Sequence, residues 1–586
     1  MNGLRKYHNY ELHPVKRIDG FENQAWEGAE AIGRILQERV LGVCRKKKKA
    51  LVCFDMYPGV QKEEIMTLAE ALKPVHIFDM EDYAKTEEEI NKTFADYITT
   101  DRVFGVMCHK KIADLFEPEK LERAQEAVED ISQGCVVVLG MGAGILTEPD
   151  IYIYCNLTRW EIQLRYRKGM PNWHCTNTQA HILAKYKKGF FVEWRLADRH
   201  KRERYDRFDF MLDTEEEGRP KMITGDAFRS ALDITSREPF RMEPYFDPGV
   251  WGGHWMQENF GLDPDEENFA WSFDGVPEEN CLLFEFGAVT VKVPAVDLVF
   301  YRPHELLGER VHARFGAEFP IRFDLLDTMG GGNLSLQVHP LTEYIQDTFG
   351  MHYTQDESYY LLDTDDRKET YVYLGLQKDV DKDAMARDLR AAQTGKILFP
   401  AEKYVNRVPV KKHDHVLIPA GTIHCSGQDT MVLEISATPY IFTFKLWDWG
   451  RVGLDGIPRP IHIEHGLNNI QWDRDTDWIY RNVVGQQETV EEGEGYQIEK
   501  TGLHEREFLD TFRYTVNNRL TVTMEDSVHM MNLVEGSHAF IESVDGSFQP
   551  FEIHYAETAI VPAKAGAYRI VAEQEKIMLI VASVRK

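Results

Sequence analysis

The stretch Asn333–Tyr344, NLSLQVHPLTEY, places two metal-seeking side chains in an apolar run. Gln337 and His339 are two apart, so a β-strand here aims both at one face. Glu357 follows in DESYYLLD, and His424 closes the turn PAGTIHCSG (Pro419–Gly427). Two imidazoles, a carboxylate and an amide oxygen form an N/O donor set for a divalent metal, with zinc the first choice. A lone strand histidine is ordinarily a packed core or surface residue. Four donors in this order point instead to a metal centre.

Size and composition bound what can surround it. The chain has 586 residues, enough for three or four folding units at about 150 residues each. With 96 acidic against 68 basic residues the net charge is −28. Such a surface repels nucleic acid and anionic membranes, so neither is an expected partner. The eight cysteines form no CxxC pair, and several sit in apolar runs as buried thiols do. No signal-like segment opens the sequence, and no apolar run approaches the ~20 residues of a membrane span. The expectation is a reduced, cytoplasmic protein.

Residues 50–215 alternate apolar runs with amphipathic segments. The runs ALVCFDM (50–56), PVHIFDM (74–80), RVFGVM (102–107), CVVVLG (135–140) and DIYIYCN (150–156) read as strands. KEEIMTLAEALK and EPEKLERAQEAVEDIS between them have helical spacing. Unalternated strands separated by helices predict a parallel α/β sheet. DMYPGVQKEE (55–64) occupies a strand-to-helix turn where Lys62 could serve a phosphate loop, but Gln61 stands where glycine is needed and Glu63 replaces the hydroxyl. GMGAG (140–144) leads into another strand rather than a helix, so its glycines are expected to serve a turn. The stretch 135–170 resembles the late part of a uridine-kinase-like P-loop fold, with Arg159, Arg165, Arg167 and Lys168 as lid residues and the phosphate loop degenerate. DTEEEGRPKMITGDAFRSALDITSREP (213–239) reads as a connection, and from Phe240 onward the β-rich texture is that of antiparallel barrels or sandwiches.

From Phe240 to Lys586 the sequence resembles the class I mannose-6-phosphate isomerases, zinc-dependent cupin proteins. The resemblance rests on MEPYFDPGVWGGHWMQENFGL (242–262), HELLGERVHARFGAEFPIRFDLLDT (304–328), LSLQVHP (334–340), IPAGTIHCSG (418–427) and KLWDWGRVGLDGIPRPIHIEHGLNNI (445–470), in order. Together with the alternation read in the N-terminal part, the expectation is a multidomain α/β plus all-β protein: a parallel α/β domain, degenerate nucleoside-kinase-like, over 1–235, a catalytic cupin (jelly-roll) barrel with the metal site over 236–480, and a second cupin-like barrel over 481–586. The resemblance implies zinc on Gln337, His339, Glu357 and His424, and interconversion of mannose 6-phosphate and fructose 6-phosphate or a related sugar. The expected partner is a small-molecule sugar or sugar phosphate, with a homo-oligomer left open. Such a reaction needs a base to move a proton between C1 and C2; Glu434 is the candidate, with Lys445 and Arg451 as cationic groups. His413 and His415 are expected behind the ligands or on the surface, and the Cys425 thiol behind the ligands or in packing, rather than on the metal.

The departures from the family pattern fall on cationic groups. Asp324 and Gln355 stand where the family has lysines, Lys445 where it has arginine, and Leu341 and Thr342 where it has two aspartates. At ~4 Å and an effective dielectric of ~20, one unit charge is worth up to ~4 kcal/mol, so such exchanges decide what binds. Arg322, Asp324 and Gln355 are the expected substrate-binding residues, and Arg322, Lys445, Arg407, Lys411, Lys412 and Arg451 could rebuild a basic pocket. Three readings stay open: a phosphomannose isomerase with rearranged phosphate contacts, an isomerase of another sugar, and a metal-holding cupin that binds or senses sugar without turnover.

Overall fold

The computed structural model describes residues 7–394, 397–452, 459–502, 504–505, 507–573 and 575–586. They fall into two compact units that the chain visits alternately. One gathers Val15–Ile234 with Cys281–Tyr301; the other gathers residues 7–14, Thr235–Asn280 and Arg302–Lys586. The chain therefore passes between units four times, at 14/15, 234/235, 280/281 and 301/302.

The N-terminal unit holds a seven-stranded sheet in the order Ala25–Glu27, Lys221–Thr224, Phe210–Asp213, Ile151–Asn156, Lys49–Met56, Gly134–Gly140 and His76–Asp79. The five strands from Phe210–Asp213 to His76–Asp79 pair in parallel and the other two antiparallel. The central strands are buried almost throughout, which is why they read as unbroken apolar runs. Helices Lys62–Ala71 and Pro118–Asp130 fall on the two amphipathic segments.

Three local readings are corrected. RVFGVM forms no strand: the Asp101 carboxylate accepts from the backbone of Val103 and Phe104 at 2.7 and 2.6 Å, which bends the chain, and Phe104 is buried in the bend. The 213–239 connection contains strand Lys221–Thr224 and helix Gly225–Thr235, whose short apolar cores are hidden among charges. Residues 281–301, which sequence reading assigned to the β-rich part, add a hairpin, Cys281–Phe286 and Val289–Pro294, to Val15–Arg17 in this unit. They also bring in buried Asp297, which takes the Lys201 ammonium and the Asn156 amide.

The second unit is built from four open antiparallel sheets rather than closed cylinders. A six-stranded sheet runs His415–Ile418, Glu357–Thr364, Thr430–Ala437, Ile321–Asp327, Trp271–Gly275, Tyr245–Asp247. A five-stranded one runs Val405–Pro409, Tyr371–Leu376, His424–Ser426, Leu336–Val338, Phe444–Trp447. Near the C-terminus a six- and a four-stranded sheet enclose an apolar core that includes Met531, Ile541, Tyr568 and Leu579. No helix among the described residues is long and apolar enough to cross a membrane.

Burial in this last core has a measurable consequence. His529 is 5% exposed, pairs through Nδ1 with the Tyr568 hydroxyl at 3.0 Å, and is pushed down to about 4 by burial. An unfolded histidine titrates near 6.5, so between pH 6.5 and 4 the unfolded chain takes up a proton that the fold refuses. Stability is unaffected by this group above pH 6.5 and falls as pH drops through that window, by up to about 3 kcal/mol. Denaturant unfolding of His529→Gln followed from pH 7 to pH 4 should lose less stability than the parent; equal losses would refute the assignment.

Candidate metal centre

The four expected donors come from the two facing sheets of the second unit. Gln337 lies in Leu336–Val338 and His339 just beyond it; His424 opens the adjacent strand, and Glu357 opens a strand of the other sheet. Gln337 is in register with His424 on one side and Lys445 on the other, and directly opposed antiparallel residues share a face. In the other sheet Arg322, Ser436 and Glu357 form one such row and Asp324, Glu434 and Tyr359 the next. Two-residue alternation puts both rows on one face. The facing rows thus bring His424, Gln337 and Lys445 over Glu357, Glu434, Asp324 and Arg322.

At the centre His339, Glu357 and His424 offer ligand atoms within 4.8 Å of one another, and all three are buried. His424 Nε2 is 2.5 Å and His339 Nε2 3.2 Å from Glu357 Oε1. The outward nitrogens each face a backbone carbonyl. His424 Nδ1 donates to the Thr422 carbonyl at 2.9 Å and His339 Nδ1 to the Phe442 carbonyl at 3.3 Å. Each ring turns its Nε2 toward a carboxylate oxygen, as metal-ligating histidines do. His339 Nε2 and Glu357 Oε1 have no hydrogen-bond partner. Two imidazole nitrogens converging on one buried carboxylate oxygen make a donor set that fits a divalent cation. Gln337 approaches through its amide, 3.2 Å from His424 Nε2, and a half-turn of that amide presents its oxygen. Cys425 stays outside the cluster, because alternation along His424–Ser426 sends its thiol to the other face.

The turn before His424 is rigid for identifiable reasons. Gly421 has φ +86°, and a Cβ there would meet the Asn469 carbonyl at 2.9 Å. Its N–H donates to the His339 carbonyl at 3.0 Å, which ties one ligand segment to the other. Buried Arg474 donates to the Pro419 and Ala420 carbonyls, both at 2.7 Å.

Around the centre the charges are strongly coupled. Burial alone would raise the Glu357 carboxyl, yet the imidazoles of His339 and His424 hold it well below the ordinary range. Burial, then the Glu357 charge, pushes Glu434 well above it, and burial raises Asp324 to about 6 against the pull of Arg322. Arg322 is held by Asp324 and lies 3.1 Å from Glu434 Oε1. Gln355 donates to both Glu357 and Glu434 at 3.1 Å, and Ser436 donates to Glu434 at 3.1 Å. Lys445 keeps part of its surface open; burial of its ammonium and the nearby Arg459 bring it down to about 7.

Other expected residues lie elsewhere. Arg451 is bound to Asp448 at 2.8 Å, Arg407 covers the Tyr371 ring and meets Glu369, and Lys412 pairs with Glu535. His415 is buried against the Ser358 hydroxyl, and His413 contacts the Tyr360 hydroxyl. Residues 453–458 of the closing motif lie outside the described residues. Sequence reading missed Tyr359, whose fully buried hydroxyl has no partner, and Ser436. Counting two residues on from Glu357 and from Glu434 would have found both.

The nucleotide-like turn of the N-terminal unit is engaged with itself. The Asp55 carboxylate accepts from the Gly142 and Gly144 amides at 3.0 Å and from the Tyr152 hydroxyl, with His200 Nε2 at 2.6 Å. Lys62 pairs with Asp79 and Glu81, Arg159 with Asp198, and Arg165 with Glu161 and the Gly59 carbonyl.

Residues 28–237 match a family described as a domain of unknown function (DUF8485). The chain is 26% identical over 233 residues to mannose-6-phosphate isomerase of Streptococcus mutans, covering 39% of this chain and 67% of that one. It is 23% identical over 235 residues to mannose-6-phosphate isomerase ManA of Bacillus subtilis, covering 40% and 68%. Among solved structures, mannose 6-phosphate isomerase from Bacillus subtilis aligns over 59% of this chain and 99% of its own, at 18% identity and a TM-score of 0.47. The chain is thus a distant homologue, over part of its length, of proteins named mannose-6-phosphate isomerases.

The metal reading is directly measurable. Purified protein should carry roughly one divalent ion per chain, and His339→Ala or Glu357→Gln should remove it while leaving the circular-dichroism spectrum in place. Full metal content in both variants would refute the centre.

Proposed function

We propose that the chain is a divalent-metal-dependent aldose–ketose isomerase, interconverting mannose 6-phosphate and fructose 6-phosphate or a closely related sugar, with zinc as its metal. The observation that carries this is the convergence of two imidazole Nε2 atoms on the buried Glu357 carboxylate. Supporting it are the donor set Gln337, His339, Glu357 and His424, and distant relatives that bear the isomerase name.

Gln337, His339, Glu357 and His424 would hold the ion. When bound, it supplies Lewis-acid polarisation of the sugar's carbonyl and neighbouring hydroxyl oxygens. The remaining chemistry belongs to side chains. Glu434 is assigned the transfer of a proton between C1 and C2, and Arg322, Gln355 and Ser436 fix its carboxyl in place. Lys445, in register with Gln337, is assigned a hydrogen bond to the oxygen that gains charge in the enediol. Burial of the rows excludes water from the proton in transit.

The phosphate question remains specific to this chain. Asp324 and the Arg322 it neutralises stand beside the carboxylate rows, so cationic character is concentrated at Lys445, Arg451 and Arg459, the last two bound to Asp448. This arrangement favours an anionic end of the substrate on the Lys445 side.

A coupled isomerase assay across mannose, mannose 6-phosphate and their ketoses, with and without chelator, tests the proposal. Turnover should vanish on chelation and return with zinc. Glu434→Gln should lower kcat by about 10²–10⁴ at unchanged metal content. Chelator-insensitive activity, or a Glu434→Gln enzyme with normal kcat, would overturn it.

A further inference from the structure

Behind the metal centre the second unit contains a cavity of about 240 Å³ that the chemistry above does not use. Arg314, Phe315, Thr342, Thr354, Asp356 and Phe508 line it. The segment entering strand Glu357–Thr364 alternates between two sites: Gln355 and Glu357 meet the carboxylate rows, while Thr354 and Asp356 face the cavity. One extended backbone thus carries both walls.

The lining is chemically divided. Phe315 and Phe508 pack at 4.8 Å between ring centroids and form an apolar wall. The rest of the lining brings hydroxyl and carboxyl groups. Arg314 packs over both rings, and no carboxylate among the described residues pairs with it. Beside Phe508, the Glu507 side chain is 2% exposed, has neither oxygen hydrogen-bonded, and lies near enough to Asp356 to feel its charge. Thr342 adds a hydroxyl and Glu318 a second carboxyl at the rim. A dianionic phosphate would meet two carboxyls here. A ring with an apolar face and several hydroxyls would satisfy both walls. The volume lies below that of drug-sized pockets and suits a ligand smaller than a nucleotide.

Asp356 also connects the cavity to the metal. Its Oδ1 accepts from the Ala420 N–H at 2.7 Å, in the turn whose Thr422 carbonyl accepts from His424 Nδ1, and the next residue is Glu357. We propose that this cavity is a second binding site, for an uncharged sugar of monosaccharide size, linked to the metal centre through Asp356. The inference stands apart from the isomerase reading, since it needs no turnover.

The test uses the full-length protein with D-mannose, D-fructose and mannose 6-phosphate as probes, by saturation-transfer NMR and calorimetry. An unphosphorylated hexose should bind both metal-loaded and chelator-treated protein. Arg314→Leu and Thr342→Val, each at the cavity rim, should weaken that binding roughly tenfold without changing the metal content. By linkage the bound hexose should shift metal affinity, read by competition with a fluorescent chelator. Loss of all hexose binding on chelation, indifference to both variants, or a preference of the chelated protein for the phosphorylated sugar would overturn the site. An unchanged metal affinity would overturn its link to the centre. Absence of isomerase activity alongside retained hexose binding would sink only the earlier reading.

Discussion

A carboxylate sealed from water between two imidazoles needs positive charge among the three, supplied by a bound cation or by a proton on a ring. Glu357, His339 and His424 are in that position, and the rest of the site follows from it. The backbone carbonyls of Thr422 and Phe442 fix the rings, Gly421 lets two ligand segments approach, and Gln355 connects Glu357 to Glu434. Desolvating so many polar groups costs several kcal/mol per ion unless partners and geometry compensate. The cross-strand rows provide that geometry.

The donors were legible in the sequence because alternation is a strict local rule: Gln337 and His339 share a face wherever the chain is extended. The parallel strands were legible for a similar reason, since burial on both faces leaves an unbroken apolar run. What escaped notice depended on long-range partners. Nothing in RVFGVM announces that Asp101 will capture two amides and bend the chain. Nothing in 281–301 distinguishes a hairpin of one unit from the β-rich sequence around it. Arg322 was read as a substrate contact, but only the register of Ile321–Asp327 against Thr430–Ala437 reveals the carboxylates on either side of its guanidinium.

That register also changes the meaning of the lost lysines. An aspartate in place of a lysine looks like a reversal of charge when read along one strand. Across the rows, Arg322 brings a cation back to Glu434 from two residues upstream, and Asp324 holds it there. Gln355 supplies hydrogen bonds where a lysine would supply charge, so Glu434 is oriented by neutral and cationic donors together. The centre is redistributed rather than emptied, and its unbalanced cationic character has moved to the Lys445 strand.

The alternating visits of the chain to its two units have a consequence for synthesis. When residue 235 leaves the ribosome, the N-terminal sheet is fully spelled out, but its unit still lacks the hairpin at 281–301 and the Asp297 carboxylate that balances Lys201. At about 5–20 residues per second, several seconds pass before those residues emerge. Throughout that interval Lys201 lacks its Asp297 partner and strand Val15–Arg17 lacks its neighbour Cys281–Phe286. The N-terminal unit is therefore complete only once residue 301 has emerged, and a nascent chain of this protein gives holdase chaperones a defined window in which to bind.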